Sequence, residues 1–317
     1  MVSEKKLLLL QEHAAPVAGD DAIAEAGRKV LLQDCIKMLE NEEGSRAGED
    51  IECVHDMRVA TRRMRSVLNM FSDYFKVGAI AAHVEGLRQT AKALGRVRDL
   101  DVMIADLQDY TVAHEDIAEP ISGIINRLEK KRDQAREDLI RWLDSKNYKR
   151  FVNGYINFLT EPGKGVIEPK SQAEPHQVRH IAALMIHEAL AAVRAYEVVL
   201  EDADYDTMHA LRVAFKRLRY TVDSFTDVLG TGASTFVDQL KDVQDYLGRM
   251  NDIVVASEAL NRLKKLNEVE SAVRDAYIVM IQAEADERMT NFVGDVWEPF
   301  NTRTVQQKLS TAMLSLR

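Results

Sequence analysis

Two stretches of this chain crowd cations of one sign onto few positions. His55, Arg58, Arg62, Arg63 and Arg65 lie in HDMRVATRRMR, and His209, Arg212, Lys216, Arg217 and Arg219 lie in HALRVAFKRLR, 154 residues further on. Guanidinium and ammonium groups gathered in this way bind oxyanions. Arginine grips phosphate through two parallel hydrogen bonds, and lysine adds a compact point charge. On a helix, at about 100° per residue, His55, Arg58, Arg62 and Arg65 fall within an arc of roughly 80°, with Arg63 flanking it. His209, Arg212, Lys216 and Arg219 make the same arc in the second copy. A solvated face usually mixes signs at three- and four-residue spacing, so that neighbours attract. Arg58, Arg62 and Arg65 repel one another instead, so the row is read as an anion site.

A second pair of motifs extends the first. LGRVRDLDV (94–102) and LGRMNDIVV (247–255) recur at an offset of 153 residues. They supply Arg96 and Arg249, with Arg88 and Lys241 one or two turns earlier on the same helices. Asp99 and Asp252 can form ion pairs with the strips but are too few to neutralise them. Asp50 and Asp206 are the candidate N-caps of the strip helices, which places His55 and His209 in or near first turns, where helix N-termini favour anions. Each histidine reads equally as a phosphate donor or as a hydrogen-bonded packing residue.

Long helices are needed to carry such rows. The 317 residues include only 15 glycines and 6 prolines, and are rich in Leu, Ala, Glu, Arg and Met, which favours helix throughout. Opposite the cations, Met57, Ala60, Met64, Val67, Leu68, Phe71 and Phe75 form an apolar face, answered by Leu211, Ala214, Leu218, Val222, Phe225 and Leu229. Helical periodicity predicts segments near 20–43, 50–76, 79–109 and 115–159, then 177–201, 206–229, 233–265 and 268–292, with a last helix toward the C-terminus. Between them TEPGKGVIEPKSQAEPHQ (160–177) holds Pro162, Pro169 and Pro175, a density that ends helices and makes a linker. The expected organisation is an N-terminal extension (1–17), a first helical half (18–160), a linker (161–176) and a second half (177–317). The fold class is all-α: two repeated antiparallel four-helix bundles related by a pseudo-twofold axis, with both strips lining a basic central groove.

Composition narrows the partners. A net charge of −9 argues against a general nucleic-acid or membrane binder, because the far field repels polyanions. The apolar run Leu7–Leu10 is too short for a signal peptide or a membrane span. Two cysteines, Cys35 and Cys53, suit a reducing cytosol rather than a disulfide framework. Glu52-x-x-His55 and Asp206-x-x-His209 have the spacing of di-iron bundles, but arginines on the same face would repel a dication. His176, His180 and His187 share a helical face without an obvious further ligand, so no metal and no cofactor is expected. Gly230-Thr-Gly-Ala-Ser-Thr is only loosely a phosphate loop and reads better as a glycine C-cap. The mixed-sign region Lys130–Arg141 reads as a solvated helix.

The paired patterns His-x-x-Arg-Val-x-x-Arg-Arg-x-Arg and His-x-x-Arg-Val-x-x-Lys-Arg-Leu-Arg-Tyr, with Leu-Gly-Arg-x-Asn-Asp, resemble the CHAD family, the conserved histidine α-helical domain, over about residues 18–317. The resemblance implies a basic groove that binds inorganic polyphosphate, with the family's motif positions falling on His55, Arg58, Arg62, Arg63 and Arg65 and on His209, Arg212, Lys216, Arg217 and Arg219. Arg98 stands where the second copy has Asn251, a small departure. The Glu-x-Glu-x-Lys signature of relatives fused to a triphosphatase domain is absent, so no catalytic residue is assigned. The expected function is a non-catalytic module for long-chain polyphosphate, cytoplasmic and targeted to polyphosphate granules. The alternatives are a metal-dependent phosphohydrolase and a scaffold that recruits a protein partner. Few aromatic residues accompany the strips, which argues against stacking on single-stranded nucleic acid.

Overall fold

The chain is helical over most of its length. A computed structural model describes residues 4–171 and 173–316. The first part of the chain forms α1 (Glu4–His13), α2 (Ile23–Glu40), α3 (Glu42–Ala47), α4 (Ile51–Met70), α5 (Val77–Ala113), α6 (Ala118–Asp144) and α7 (Lys146–Thr160). The second part forms α8 (Val178–Arg194), α9 (Tyr205–Asp223), α10 (Gly232–Asn261), α11 (Glu268–Phe292), α12 (Glu298–Phe300) and α13 (Arg303–Met313). Among the described residues there is no strand, only two isolated bridges, Ala22 with Gln177 and Phe75 with Val166. Among the described residues no helix is long and apolar enough to cross a membrane.

The order of packing repeats. Strip helix α4 lies between α2 and α5, and α5 packs on α6; strip helix α9 lies between α8 and α10, and α10 packs on α11. Each helix also meets its counterpart across the halves: α2 with α8, α4 with α9, α5 with α10, and α6 with α11. Phe71 and Phe225, equivalent by the 154-residue offset, touch edge to face with ring centroids 6.0 Å apart. The apolar faces of the strips are fully interior: Met57, Met64, Leu211 and Leu218 are all 0% exposed.

Two cores result, and each draws on both halves. The larger runs from α1 to α13. The smaller joins Met103, Ile104 and Leu107 of α5 and Ile121, Ile124 and Leu128 of α6 to Ile253 and Leu260 of α10 and Tyr277 and Ile281 of α11. The linker is tied down against the larger core, on which Val166 packs. Lys76 N donates to Gly165 O at 2.8 Å and Ile167 N to Tyr74 O at 2.9 Å, while Gly163 and Gly165 hold φ of 79° and 73°, conformations that glycine adopts without a Cβ penalty.

Three local expectations are corrected. The segment 115–159 is two helices, because Ser145 turns extended (ψ 150°) and its side chain caps α7 by accepting from Tyr148 N at 3.0 Å. Asp50 does cap α4, accepting from Glu52 N at 2.9 Å, but the cap of α9 is Asp204, not Asp206. Asp204 has the extended backbone a cap requires and accepts from Thr207 N at 2.8 Å and from its hydroxyl at 2.6 Å, whereas Asp206 already lies inside the first turn. Asp204→Ala is therefore expected to lower the urea-unfolding midpoint, and Asp206→Ala to lower it less. Third, Gly230 is no C-cap, since α9 ends at Asp223. Its amide donates to Ala312 O at 3.0 Å, and a Cβ there would stand 2.7 Å from Ser315 Oγ, so the glycine permits the close approach of α13.

Candidate functional site: a cleft between the repeated helices

The strips reach a common cleft because α4 and α9 bury their apolar sides in the larger core and turn the cationic sides toward α5 and α10. The cleft encloses about 650 Å³. Its walls carry Arg58 and Arg62 from α4, Arg212, Lys216 and Arg219 from α9, and the cleft-facing sides of α5 and α10. Met103 and Ala256, which belong to the smaller core, also line it, so that core closes one side. Eight lysine and arginine residues face four aspartates across the walls, an excess of four positive charges in a chain of net −9.

The two halves contribute alike at the centre. Arg58 lies 3.4 Å from Asp99 and packs beside Gly95, where a Cβ would be 3.6 Å from its Nε. Arg212 feels the charge of Asp252 and packs beside Gly248, where a Cβ would be 3.9 Å from its Nη2. Gly95 and Gly248 are the glycines of the two LGR motifs, and a Cβ at either would make only ordinary contact with the strip guanidinium. Arg62 and Lys216 are equivalent positions on facing walls.

Several nitrogens of the strip side chains are left without protein acceptors. Arg62 Nε, Arg212 Nε, Arg219 Nε and His55 Nδ1 are buried and have no hydrogen-bond partner. Unpaired buried donors of this kind are costly, each about 1–3 kcal/mol. Electrostatics agrees with that crowding. Burial, reinforced by Arg212, Arg62 and Arg58, pulls the Lys216 ammonium down to about 7. Burial and then Arg98 hold His55 below the usual histidine range. Burial pushes the Asp99 carboxyl up despite Arg58.

Of the residues singled out in the sequence, His55, Arg58, Arg62, Arg212, Lys216, Arg219, Lys241 and Arg249 line the cleft. Two of these are already engaged. Arg249 holds Glu284 at 2.8 Å and also binds Asp106, which raises its pKa and ties α10 to α11 and α5. Lys241 Nζ reaches Asp238 at 2.7 Å. The remaining residues lie elsewhere. Arg63 is inserted between Asp34 and Asp223. Arg65 and Arg217 are exposed outside the cleft, and His209 is exposed beside the Tyr205 ring, 6.4 Å between centroids. Arg88 pairs with Glu85 at 2.7 Å, and Arg96 lies outside the cleft, 3.6 Å from Asp138 of α6.

Arg98 was passed over as a departure between the motifs, yet it lines the cleft, 3.3 Å from Glu52. Its signal is helical spacing. Arg98, Asp99, Val102, Met103 and Asp106 recur at three- and four-residue intervals on one face of α5, and Arg96 sits at the edge of that face, turned to Asp138 of α6. Gln244, which accepts from Arg219 Nη1 at 2.9 Å, had no such signal. The His176 and His180 rings stand 6.5 Å apart before and within α8, away from the cleft. Among the described residues no three His, Cys, Asp or Glu side chains are grouped to hold a metal.

An all-helical protein whose two halves present repeated cationic helices to one cleft is the class that fold and site define. The chain belongs to the CHAD domain family, whose pattern matches residues 29–261. Two uncharacterized proteins of Mycobacterium tuberculosis, MT2285 (strain CDC 1551 / Oshkosh) and Rv2226 (strain ATCC 25618 / H37Rv), are each 27% identical over 241 residues, covering 74% of this chain and 45% of theirs. The match thus spans just under half the length of those relatives. The fold is similar to the crystal structure of the CHAD domain from the plant Ricinus communis, with a TM-score of 0.63 at 21% identity over 94% of each chain. It is also similar to PptA from Streptomyces chartreusis, with a TM-score of 0.68 at 13% identity over 88% of this chain and 100% of that one.

Proposed function

We propose that the cleft is a basic groove for long-chain inorganic polyphosphate, and that the protein binds this polymer without hydrolysing it. One observation carries the reading: cationic strip residues from both halves line one cleft, whose walls carry four more positive than negative side chains. A linear polyanion supplies the negative charge that these walls lack, and its repeating phosphates match a row of cations better than a compact anion does. The contact of each helix with its counterpart supports a pseudo-twofold arrangement, in which a chain crossing the axis meets Arg58 and Arg62 on one wall and Arg212 and Lys216 on the other. Family membership supports the choice of ligand. Two of the aspartates lie near guanidinium groups, Asp99 3.4 Å from Arg58 and Asp106 against Arg249, so they balance charge rather than gather a metal.

The negative exterior keeps polyanions off the rest of the surface, and successive contacts along one chain add avidity. Titration calorimetry with polyphosphates of defined length tests this. Affinity is expected to rise with length until the cleft is filled. Log affinity should fall linearly with log salt between about 50 and 200 mM, as counterions are released. The polymer should be recovered at its original length after incubation with magnesium. Equal affinity for pyrophosphate and long chains, with a shallow salt dependence, would indicate a compact small-molecule site. Metal-dependent shortening of the polymer would indicate a phosphohydrolase.

A further inference from the structure

The four cations at the centre of the cleft are chemically unequal. Arg58, Arg62 and Arg212 keep their protons at any working pH, so they cannot relieve their mutual repulsion by titrating. Lys216 can. It occupies the position equivalent to Arg62 and faces Arg212 on its own helix, Arg58 and Arg62 from α4, and Asp252 from α10. Helix α5 adds Arg98 and Asp99 to the same cleft, and α8, on the far side of α9, sends no side chain into it. Asp252 alone opposes burial and three guanidiniums, and the ammonium is held down to about 7.

On the reading of this cleft as a polyanion site, we propose that Lys216 is a proton-linked contact: the chain that bridges the two strips binds together with one proton, taken up on Lys216 Nζ, and affinity therefore falls as pH rises through neutrality. Phosphate oxygens placed among the four cations replace repulsion with attraction and accept hydrogen bonds that only the ammonium form can fill with all three N–H groups. The direction follows from linkage. Lys216 of the free protein loses its proton near pH 7, and the bound form holds it to higher pH. Uptake is largest between those two values and vanishes well below the lower one. Within that window affinity changes by at most about tenfold per pH unit, the limit for one proton. The first half cannot do this, because its equivalent residue is Arg62. A symmetric pair of arginines would grip the polymer equally at all pH; one lysine makes the grip pH-dependent near neutrality.

His55 is the other titrating cation of the cleft, facing Arg98, Glu52, Asp56 and Arg58. Its ring is already deprotonated at pH 8, since its environment holds it below the ordinary histidine value. Calorimetric titration of the full chain at pH 8 with long polyphosphate, in buffers of differing ionisation heat, measures the protons taken up. The wild type is expected to take up between about half and one proton per bound chain. Lys216→Arg should bind with an uptake near zero, because arginine does not release its proton, and Lys216→Gln gives the same readout should the arginine variant fold poorly. His55→Gln should retain the wild-type uptake. End groups of the polymer titrate equally in all titrations and cancel between variants. Zero uptake by the wild type, or undiminished uptake by Lys216→Arg, overturns the proposal while leaving the groove intact, and loss of uptake in His55→Gln would assign the proton to His55 instead. Absence of any binding heat in every buffer, with no shift in a parallel gel, would instead remove the polyphosphate reading on which the proposal rests.

Discussion

Replacing Arg58 and Arg62 together by alanine, or Arg212 and Lys216 together, is expected to weaken polyphosphate binding by roughly a hundredfold or more. Hydrogen bonds to charged groups contribute about 1.5–3 kcal/mol each, so two lost contacts amount to about 3–6 kcal/mol before the remaining contacts compensate. Avidity along the chain absorbs part of that loss, which sets the lower figure. The fold should not suffer. Arg62 and Arg212 have unpartnered buried nitrogens, and the strip cations repel one another, so their removal leaves the melting temperature unchanged or raises it. Calorimetric affinity and thermal melts on the same samples check both halves of the expectation. Wild-type affinity in either double variant would mean that only one wall holds the polymer. A fall in melting temperature parallel to the loss of binding would mean that the strips are structural.

The opposite pattern is expected at Arg63. Its Nε lies 2.9 Å from Asp34 Oδ2, and it also pairs with Asp223, which joins α2 and α4 of the first half to the end of α9. Asp34 is 2% exposed, and neither Asp34 Oδ2 nor Arg63 Nε has a hydrogen bond, so the contact is an ion pair without hydrogen-bond alignment. Burial therefore outweighs Arg63, and the carboxyl is pushed up to about 6. Arg63→Met leaves a buried carboxylate without its cation, a loss of about 3–5 kcal/mol at alkaline pH. The sign of the pH dependence is fixed. Above pH 6 Asp34 of the folded protein is ionised and needs Arg63; below it the carboxyl is neutral and the penalty shrinks. Urea unfolding at pH 8 and pH 5 should show the larger loss at pH 8. Equal losses at both values would mean that Asp34 is not the group left unpaired.

Arg63 also marks where sequence reasoning stopped. Its type and motif position are the same as those of its neighbours, and one helical step of about 100° turns it from the cleft toward α2 and α9. Nothing in the local pattern announces Asp34 and Asp223 as its partners, since they come from 29 positions before and 160 positions after it. The same reason separates Arg219 from Arg65. Equivalent in the repeat, one meets Gln244 in the cleft and the other points to solvent, and the α5 position that answers Gln244 is Ala91, which offers no acceptor.

The sequence by itself determined the all-helical class, the two strip helices with their buried faces, and the pairing of each strip with an LGR helix. Those features rest on periodicity, propensity and repetition, which act within a few turns of one helix and so are written in consecutive residues. Even there, the choice of Asp204 over Asp206 as a cap and the break at Ser145 needed the actual backbone. Only the tertiary structure decided that α5 and α10 complete one cleft, that Arg98 enters it while Arg88 and Arg96 do not, and that Arg249 is committed to Glu284 and Asp106. Which charges are satisfied and which stay available depends on partners distant in sequence, and their positions are set by the packing of helices from both halves into shared cores.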